Sequence, residues 1–341
     1  MINPVAKLVA NIFDPPAGGP DMAATRDGFG KGSIEAGKVD MRVVVLSADL
    51  KESTRAEGFE KEFPDRFIEV GVAEQNMATV AAGMANYGKI PFITSYAAFS
   101  PGRNWEQIRT TIALNNVPVI ICGMHAGVSV GPDGATHQML EDMALMRAMP
   151  NMIVLSPCDA EEARKATVAA AKCGKPVYMR FGREKTPVMT TADTPFEIGK
   201  TQVFWESGQG DALAKVALFS TGPLTHNALL AAQQLEKENI TITVVNVATI
   251  KPLDQQIVEI AKQAGAVVTV EEHQVNGGLG SAIAELLSKN APVPIEMIGM
   301  QNEFGQSGEP KQLIEHYGMG VSHIVEAAKK AIARAVKETG H

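Results

Sequence analysis

Short runs of β-branched residues alternate with amphipathic stretches along most of this chain of 341 residues. Residues 43–48, 91–96 and 117–124 have the composition of buried strands, and the stretches between such runs have the spacing of amphipathic helices. Strands that alternate with helices of about 10–15 residues form parallel sheets covered by helices on both faces. We therefore expect an α/β protein with doubly wound, mainly parallel sheets.

The alternation comes in two series, separated by residues 183–211, which lack a sustained period and have the pattern of a linker with an irregular entry. The first series predicts strands at 43–48, 67–70, 91–96, 117–124, 152–156 and 176–181, and helices at 73–87, 105–115, 138–149 and 159–173, the last capped by Asp159. The second predicts strands at 216–220, 241–247, 266–271 and 295–299, and helices at 224–238, 253–264, 278–288 and 321–338. Because the chain is also too long for one ordinary domain, we expect two domains, at residues 1–190 and 191–341.

Composition argues against several classes of partner. Hydrophobic residues make up 45% of the chain, and a net charge of −7 with no basic run argues against nucleic acid. No stretch reaches the roughly 18–20 apolar residues of a membrane span, and the polar start of the chain does not fit a signal peptide. The cysteines, Cys122, Cys158 and Cys173, have no paired spacing, which favours a reducing, cytoplasmic location.

Polar side chains are concentrated directly after the predicted strand at 117–124. Residues 125–138 contain two histidines, His125 and His137, the carboxylate of Asp133 and three glycines. In open α/β sheets ligands bind at the carboxyl ends of the strands, and glycines let a backbone approach a ligand closely. The two histidines are too far apart for a zinc site and no cysteine pair lies nearby. The stretch is therefore expected to form one wall of an active site.

A second polar cluster, at residues 69–76, follows another short strand and opens a helix. Its Glu74, taken alone, fits a helix-terminal acid that is favoured by the helix dipole. Together with residues 125–138, however, it places two polar loops on one edge of one sheet. This combination predicts an active site at that edge.

A glycine-rich segment, Gly277-Gly278-Leu279-Gly280, also follows a predicted strand. Its spacing is not G-x-G-x-x-G, and no acid follows at the distance that a dinucleotide site requires. We expect a tight turn that supports a dimer contact rather than a nicotinamide site.

Four separate segments, in this order, resemble the transketolase family. They are Ser-Ala-Asp-Leu at residues 47–50, Gly-Val-Ala-Glu-Gln-Asn at 71–76, Asp-Gly-Ala-Thr-His-Gln at 133–138 and Pro-Val-Tyr-Met-Arg-Phe-Gly-Arg at 176–183. The resemblance runs from about Thr25 to the end and implies the family's pyrimidine-binding domain followed by its C-terminal domain. It also implies thiamine diphosphate, a divalent metal ion (Mg²⁺ or Ca²⁺) and transfer of a two-carbon ketol unit between phosphorylated sugars.

One departure from the family concerns the motif that binds the diphosphate. The family carries Gly-Asp-Gly followed by a metal-binding Asn in its N-terminal half, and no Gly-Asp-Gly occurs in this chain. The chain thus resembles the C-terminal subunit of a split transketolase. The resemblance implies an N-terminal diphosphate-binding subunit that supplies the metal ligands, and self-association into an α2β2 assembly.

The resemblance implies cofactor contacts for four residues. Glu74 matches the acid that hydrogen-bonds N1′ of the aminopyrimidine, a catalytic contact that requires shielding from water, which the Ala- and Met-rich stretch after it would supply. Tyr96 and Phe99 match the aromatic side chains that stack on the aminopyrimidine ring, or else they simply pack in the core. Asp49 matches an acid that lines the cofactor pocket.

Substrate contacts are implied in the same way. His137 matches the histidine near the reacting carbon, where it orients substrate or moves a proton, and Asp133 matches an acid that contacts a sugar hydroxyl. The positions that bind the substrate phosphate are matched by His125, Arg183, Arg26 and Ser53, a donor set that suits a dianion.

Two further arginines, Arg103 and Arg180, are given no contact with cofactor or substrate. The Pro101-Gly102 pair before Arg103 departs from the family pattern, so the resemblance assigns Arg103 no role. Strand alternation turns Arg180 away from the loop that carries Arg183, and we expect a structural role for Arg180.

Three alternatives share part of this pattern. The 1-deoxyxylulose-5-phosphate synthases have a similar Ala-Glu-Gln motif, but they place Asp-Arg where this chain has Met124-His125. The beta subunits of 2-oxoacid dehydrogenases match the length, but they normally have Glu-Asn-Gly at the glutamate motif and lack the Asp-Gly-x-Thr-His stretch. A non-catalytic module that only binds a partner would be expected to lose Glu74 or the histidines.

Overall fold

The computed structural model describes residues 1–14, 17–207 and 216–339, and its frame is built from two main sheets flanked by helices. The strands are β1 (Met22–Ala23), β2 (Val43–Ser47), β3 (Phe67–Glu69), β4 (Ile90–Tyr96), β5 (Ile120–Met124), β6 (Ile153–Leu155), β7 (Val177–Arg180), β8 (Thr186–Pro187), β9 (Gln202–Glu206), β10 (Val216–Ser220), β11 (Ile242–Asn246), β12 (Thr249–Lys251), β13 (Val267–Gln274) and β14 (Ile295–Met300).

Helices lie between these strands, and those that the sequence predicts occur in the predicted order. The helices are α1 (Thr25–Val39), α2 (Lys51–Thr54), α3 (Glu57–Glu62), α4 (Glu74–Asn86), α5 (Trp105–Gln107), α6 (Asp142–Arg147), α7 (Ala160–Lys172), α8 (Thr225–Lys237), α9 (Gln256–Ala264), α10 (Leu279–Asn290), α11 (Pro310–His316) and α12 (Val321–Thr339). Of these, α1, α2, α3 and α11 were not predicted. A π-helix at Ile108–Ala113 continues α5, and a 3₁₀ turn covers Val128–Asp133. Across the described ranges, no helix is both long enough and apolar enough to cross a membrane.

Both main sheets are largely parallel. The seven-stranded sheet has the order β12-β6-β7-β5-β4-β2-β3, in which only the β12–β6 pair is antiparallel, and the five-stranded sheet has the order β14-β13-β10-β11-β9, in which only β9 is antiparallel to its neighbour. Alternate residues of β2 pack into two different cores, Val44 and Leu46 with Met77 of α4, and Val43 and Val45 with a core that includes residues of α1 and α7. A strand that buries both of its faces is the mark of a doubly wound sheet, and the predicted fold class is confirmed.

Some elements differ from the predicted ones. The predicted helix at 138–149 begins only at Asp142, because the carbonyls of Met139 and Leu140 accept hydrogen bonds from Gly127 (2.9 Å) and Gln274 (2.9 Å) and so cannot serve a helix. Strand β9 lies inside the stretch predicted as a linker, and residues 208–211 of that stretch lie outside the described residues.

Segments from each side of the predicted boundary near residue 190 pack in the part of the chain on the other side. Strand β12, from the second series, pairs with β6 and becomes an edge strand of the first sheet. At the start of the chain, the N–H of Asn3 donates to the carbonyl of Phe204 (2.9 Å), and Ile12 packs in the same core as Phe204. The division into 1–190 and 191–341 stays a prediction, and segments of each part pack in the other.

Candidate active site

The predicted site residues lie at one edge of the seven-stranded sheet. Ser47 of β2 pairs with Glu69 of β3, and Tyr96 of β4 pairs with Met124 of β5, so these parallel strands end at the same level. The segments that follow these strands and β7 carry most of the predicted residues, namely Asp49, Ser53, Glu74, Phe99, His125, Asp133, His137 and Arg183. This is the edge at which doubly wound sheets bind ligands.

Glu74 is the first residue of α4 and its side chain is only 2% exposed. Met77, Ala78 and Ala81 of the same helix are fully buried beside it, so the Ala- and Met-rich stretch shields the start of the helix as predicted. The Nη1 atom of Arg103 donates to Oε2 of Glu74 at 2.6 Å. A buried carboxylate without such a partner would be costly, so Arg103 compensates the charge of Glu74.

Arg103 and Asn104 are site residues that sequence reasoning did not assign. The guanidinium carbon of Arg103 lies 4.7 Å from the centre of the Phe99 ring, and this half-exposed side chain joins Phe99 to Glu74. Asn104, which is fully buried, donates to the backbone carbonyl of Glu74 (3.0 Å) and to the hydroxyl of Ser100 (3.1 Å). A polar Asn immediately before a helix is the one local signal that could have suggested such an anchoring role.

Four rings form a continuous aromatic group. Tyr96 and Phe99 lie nearly parallel, with centroids 5.9 Å apart and an interplanar angle of 17°. The ring of His125 stacks on Tyr96 at 4.1 Å, and the ring of His137 meets Phe99 edge-on at 5.4 Å. Tyr96, Phe99 and His137 are each half-buried. The group therefore brings the predicted cofactor-stacking residues together with both predicted substrate histidines.

Arg26, Ser53 and His125 converge from three separate segments. The Nη1 atom of Arg26, on α1, lies 2.8 Å from the carbonyl oxygen of Ser53 and 2.7 Å from Nε2 of His125. Because a guanidinium can only donate, Nε2 of His125 must accept this hydrogen bond. Burial and the charges of Arg26 and Arg183 lower the pKa of His125 to about 3, so His125 is neutral at physiological pH.

The positive charges of Arg26, Arg55 and Arg183 are close enough to affect one another. Burial and the nearby charge of Arg55 lower the pKa of Arg26, and the charge of Arg183 acts in the same direction. Clustered cations that repel one another in a half-buried site are stabilised when an anion binds between them. We call Arg26, His125 and Arg183 the anion cluster.

Arg183 is paired with the loop after β5. Its Nη1 atom donates to the carbonyl of Val130 (2.9 Å) and to Oδ1 of Asp133 (3.3 Å). The structure therefore joins the predicted phosphate ligand Arg183 to the predicted sugar-hydroxyl ligand Asp133. His137, further along the same loop, forms a hydrogen bond through Nδ1 with the hydroxyl of Thr136 (2.9 Å).

Asp49 lies at the end of β2 with an exposed side chain and a left-handed backbone (φ 60°). Its N–H donates to Oε1 of Glu69 (2.8 Å), which also accepts from the N–H of Gly71 (3.0 Å). Glu69 thus shapes the turn that leads towards Glu74. The predicted contact of the Asp49 carboxylate with a cofactor stays a prediction.

A cavity of about 560 Å³ lies next to the site rather than in it. Ser129, Glu184 and Glu272 line it, together with residues 12–14 from the start of the chain, but none of the predicted site residues does. Within residues 1–14, 17–207 and 216–339, no group of three or more His, Cys, Asp or Glu side chains is arranged to hold a metal ion.

Comparison with known proteins shows to which family this chain is similar. Residues 21–189 match the family model described as transketolase, pyrimidine binding domain, and residues 211–324 match transketolase, C-terminal domain. A putative transketolase C-terminal section from Methanocaldococcus jannaschii is 41% identical over 89% of this chain and 96% of that protein. A 6-deoxy-6-sulfo-D-fructose transketolase subunit from Clostridium sp. is 37% identical over 88% of this chain and 92% of that protein.

A longer relative and a solved structure point to the same family. Transketolase-like protein 2 from Mus musculus is 38% identical over 92% of this chain, but the chain spans only 49% of that protein. A solved structure described as a split gene transketolase, inactive beta4 tetramer, has a TM-score of 0.84 and 43% identity, and it covers 92% of this chain and 99% of its own. The chain therefore belongs to the transketolase family and corresponds to its pyrimidine-binding and C-terminal domains.

Proposed function

We propose that this chain is the C-terminal subunit of a split transketolase. It would transfer a two-carbon ketol unit from a ketose phosphate to an aldose phosphate, with thiamine diphosphate shared with a separate N-terminal subunit. The observation that carries this proposal is the convergence, at one sheet edge, of a buried acid, a stacked aromatic group and the anion cluster. Two relatives of similar length that are named a C-terminal section and a subunit of transketolase support it.

The residues at the sheet edge fit the aminopyrimidine half of thiamine diphosphate. The half-buried rings of Tyr96 and Phe99 offer a surface for a flat heteroaromatic ring. Glu74 supplies a shielded carboxyl for a ring nitrogen, and Asp49 would line the same pocket. When bound, the cofactor supplies a carbon nucleophile that carries the ketol unit. The chain's own part is to hold the ring, exclude water and present the buried carboxyl of Glu74 to a ring nitrogen.

The substrate would bind between the aromatic group and the anion cluster. His137 is placed to orient or protonate a sugar hydroxyl near the reacting carbon, and Asp133 to accept from a hydroxyl further along. Arg26 and Arg183 supply two guanidiniums and His125 a neutral imidazole for the terminal phosphate, with Ser53 beside them. Because the imidazole is uncharged in the free protein, it would contribute a hydrogen bond rather than a charge to the terminal phosphate.

A sulfonated ketose is a second candidate substrate. The Clostridium relative is named for 6-deoxy-6-sulfo-D-fructose, and a sulfonate would use the same donors. A sulfonate carries a single charge, whereas a phosphate monoester carries about −1.5 to −2 at neutral pH. The two arginines, offset by the carboxylate of Asp133, could serve either anion, so the substrate must be tested directly.

The partner and the metal are part of the same proposal. The metal ion, Mg²⁺ or Ca²⁺, would be held by the N-terminal subunit, and two copies of each chain would form an α2β2 assembly. The similar solved structure is described as an inactive β4 tetramer of one chain, which supports the idea that this chain needs a partner. The unpaired Cys122, Cys158 and Cys173 are consistent with a reducing compartment such as the cytoplasm.

Mixing the purified chain with its candidate N-terminal subunit, thiamine diphosphate and Mg²⁺ tests the proposal. The mixture should transfer ketol units from a phosphorylated ketose, whereas the chain alone should be inactive and should bind the cofactor only weakly by calorimetry. Turnover by the chain alone, or micromolar binding of the cofactor to it, would show that the proposed need for a partner is wrong.

Arg183→Ala in the same mixture tests the role of the anion cluster. A charge-assisted contact to phosphate contributes about 1.5–3 kcal/mol, so kcat/KM for the phosphorylated ketose should fall roughly 10- to 150-fold. Hydroxypyruvate, which has no terminal phosphate, should react at nearly the wild-type rate. An equal loss for both donors would make Arg183 structural, and a wild-type preference for a sulfonated ketose would favour the second candidate.

A further inference from the structure

Glu272, on β13, reaches the loop that carries the predicted substrate ligands. We call residues 126–138 the substrate loop, since it contains Asp133 and His137. The Oε1 atom of Glu272 accepts a hydrogen bond from the N–H of Ser129 at 2.6 Å, at the start of the 3₁₀ turn Val128–Asp133. Glu272 is 143 residues further along the chain, in the C-terminal domain, and its side chain is buried.

The substrate loop leaves a space for this carboxylate at Gly127. A Cβ atom at Gly127 would lie 2.3 Å from Oε1 of Glu272 and 2.5 Å from its Cδ, so a side chain at residue 127 would displace this carboxylate. The backbone of Gly127 also has φ 93°, a conformation that favours glycine. Gly127 and Glu272 therefore fit each other as parts of one contact.

The contact lies next, along the substrate loop, to the residue that holds a member of the anion cluster. Ser129, which donates to Glu272, is followed by Val130, whose carbonyl accepts from Nη1 of Arg183 at 2.9 Å. The same nitrogen contacts Asp133 at the end of the turn. The Ser129 N–H and the Val130 carbonyl belong to different peptide units of the same 3₁₀ turn. Fixing the N–H of Ser129 therefore restrains the turn whose Val130 carbonyl orients the Arg183 guanidinium.

Glu272 is itself held in place from the first sheet. The Nη2 atom of Arg180 donates to the backbone carbonyl of Glu272 at 2.7 Å, and Nε of Arg180 donates to Oδ2 of Asp142 at 2.8 Å. Both side chains are buried, and Tyr178 donates to the same Asp142 oxygen at 2.7 Å. Arg180 therefore has the structural role expected for it, as the residue that joins β7 to β13.

A second contact with the C-terminal domain holds the other end of the substrate loop. The Nε2 atom of Gln138 lies within hydrogen-bonding distance of the carbonyls of Val128 (3.1 Å), Gly131 (3.2 Å) and Gln306 (3.0 Å). A Cβ atom at Gly305 would lie 2.0 Å from Oε1 of Gln138, so the backbone at Gly305 packs directly on this amide. The loop is thus anchored to the C-terminal domain at both ends.

We propose that Glu272 is a positioning residue: it fixes the substrate loop from the C-terminal domain so that Arg183 and Asp133 are preorganised for the anionic substrate. This inference rests on the proposed function for the identity of the substrate. It gives the C-terminal domain, which contributes none of the predicted ligands, a part in substrate binding. Preorganised side chains bind a substrate more tightly because less conformational entropy is lost on binding.

Two substitutions at Glu272 and two at its neighbour test the proposal. Glu272→Ala removes the acceptor for Ser129, whereas Glu272→Gln keeps an oxygen at that position. Glu271 is the matched control, because it is equally buried on the same strand but accepts from the N–H groups of Leu279 (2.7 Å) and Gly280 (2.8 Å) at the start of α10. Glu271→Ala and Glu271→Gln therefore disturb the C-terminal domain without touching the substrate loop.

Hydrogen–deuterium exchange of the full chain is the first readout and needs no substrate. In Glu272→Ala the amides of residues 127–133, apart from Pro132, should exchange roughly 10-fold faster than in wild type, since the hydrogen bond from the Ser129 N–H is lost. In Glu272→Gln and both Glu271 variants these amides should exchange at close to the wild-type rate. Equal acceleration in Glu272→Ala and Glu271→Ala would overturn the proposal.

Kinetics of the chain assembled with its N-terminal partner are the second readout. Glu272→Ala should raise KM for a phosphorylated ketose by roughly 10-fold and change kcat much less, and Glu272→Gln should restore KM. Equal increases of KM in Glu272→Ala and Glu271→Ala would also overturn the proposal. If the wild-type assembly transfers no ketol units at all, the proposed function fails, while the exchange experiment still decides whether Glu272 anchors the loop.

Discussion

His125 shows how one residue combines several constraints. Its backbone is left-handed (φ 53°), its ring stacks on Tyr96, and its Nε2 accepts from Arg26. The left-handed backbone turns the chain sharply after β5 and starts the substrate loop. Burial, together with the adjacent Arg26, keeps the ring neutral, so that it contributes a hydrogen-bonding group and no further positive charge to the free site.

This environment gives a prediction for the pH dependence of stability. The pKa of His125 is about 3 in the folded chain and near 6.5 when unfolded, so between these values the unfolded chain binds more protons. His125 should therefore destabilise the fold progressively as the pH falls below 6.5, by roughly 2 kcal/mol at pH 5, and should have no such effect above about pH 7. The free energy of unfolding measured in urea at pH 7.5 and pH 5.0 checks this.

His125→Asn is the variant to compare, since Asn tolerates the left-handed backbone. The stability difference between wild type and this variant should shrink at pH 5.0 by about 1–2 kcal/mol. His316→Asn, at an exposed histidine, is the control and should keep the wild-type slope. Identical pH slopes for wild type and His125→Asn would show that His125 is not held neutral by its surroundings.

Residue types at strand ends were enough to predict that the candidate site residues meet at one edge of the sheet, but not every contact there. His125 and Glu74 were singled out because each follows a recognisable strand, and Phe99 because it matches the aromatic side chains of the family's pocket. The pairing of Arg103 with Glu74 joins residues 29 positions apart and depends on how α5 packs beside α4. No local pattern encodes such a contact, and the same is true of Ser129 and Glu272.

Among the elements, α1 is the one that sequence patterns most clearly missed. Its sequence contains four glycines, which are poor helix formers. Packing explains them, because a Cβ atom at Gly28 would lie 2.0 Å from the carbonyl oxygen of Ala160, and one at Gly32 would lie 2.7 Å from that of Arg164. Close packing of α1 on α7 thus outweighs helix propensity, and it fixes the start of α1, where Arg26 enters the anion cluster.

The start of α7 shows an element end that could be predicted. Asp159 was expected to cap this helix, and its side chain accepts from the N–H of Glu162 (2.8 Å). The same carboxylate also accepts from the N–H groups of Met189 (2.7 Å) and Thr190 (2.6 Å), and from the Thr190 hydroxyl (2.8 Å). The cap could be predicted from the local sequence, whereas the hydrogen bonds from residues 189–190 to the same carboxylate could not.

Asp159→Ala should destabilise the chain strongly. It removes a helix cap, typically contributing about 1 kcal/mol, and leaves buried N–H groups unsatisfied at about 1–3 kcal/mol, so we expect a total loss of roughly 3–4 kcal/mol. The midpoint of urea unfolding measures this. Asp40→Ala, at a half-buried aspartate whose partner Arg42 is exposed, is the control and should change the midpoint little. A midpoint for Asp159→Ala close to that of the control would show that the cap is not important.

At the scale of the whole molecule, the two parts of the chain are interleaved. Strand β12 completes the first sheet, the first residues of the chain pack beside β9, and Arg180 bridges the two parts from a buried position. Two series of alternating strands and helices were sufficient to predict two doubly wound sheets. The exchange of segments between them could not be predicted, because a single short strand such as β12 carries no signal of the sheet that it will join.

In the proposed function, this chain forms one half of a shared active site. The sheet edge supplies an acid, stacking rings and an anion cluster, while the diphosphate and metal ligands are proposed to lie on another chain. Glu74 is the residue on which the proposed chemistry depends most, since it is the one buried acid at the start of α4 that is placed to contact the cofactor ring.

Exchange of the hydrogen on the thiazolium C2 carbon of thiamine diphosphate, followed by NMR in the assembly of this chain with its N-terminal partner, is the most direct measurement. The wild-type assembly should accelerate this exchange over the free cofactor. Glu74→Ala, checked for an unchanged fold and for assembly with the partner, should slow the exchange on the order of 100-fold or more. Exchange in Glu74→Ala at the wild-type rate would contradict the account.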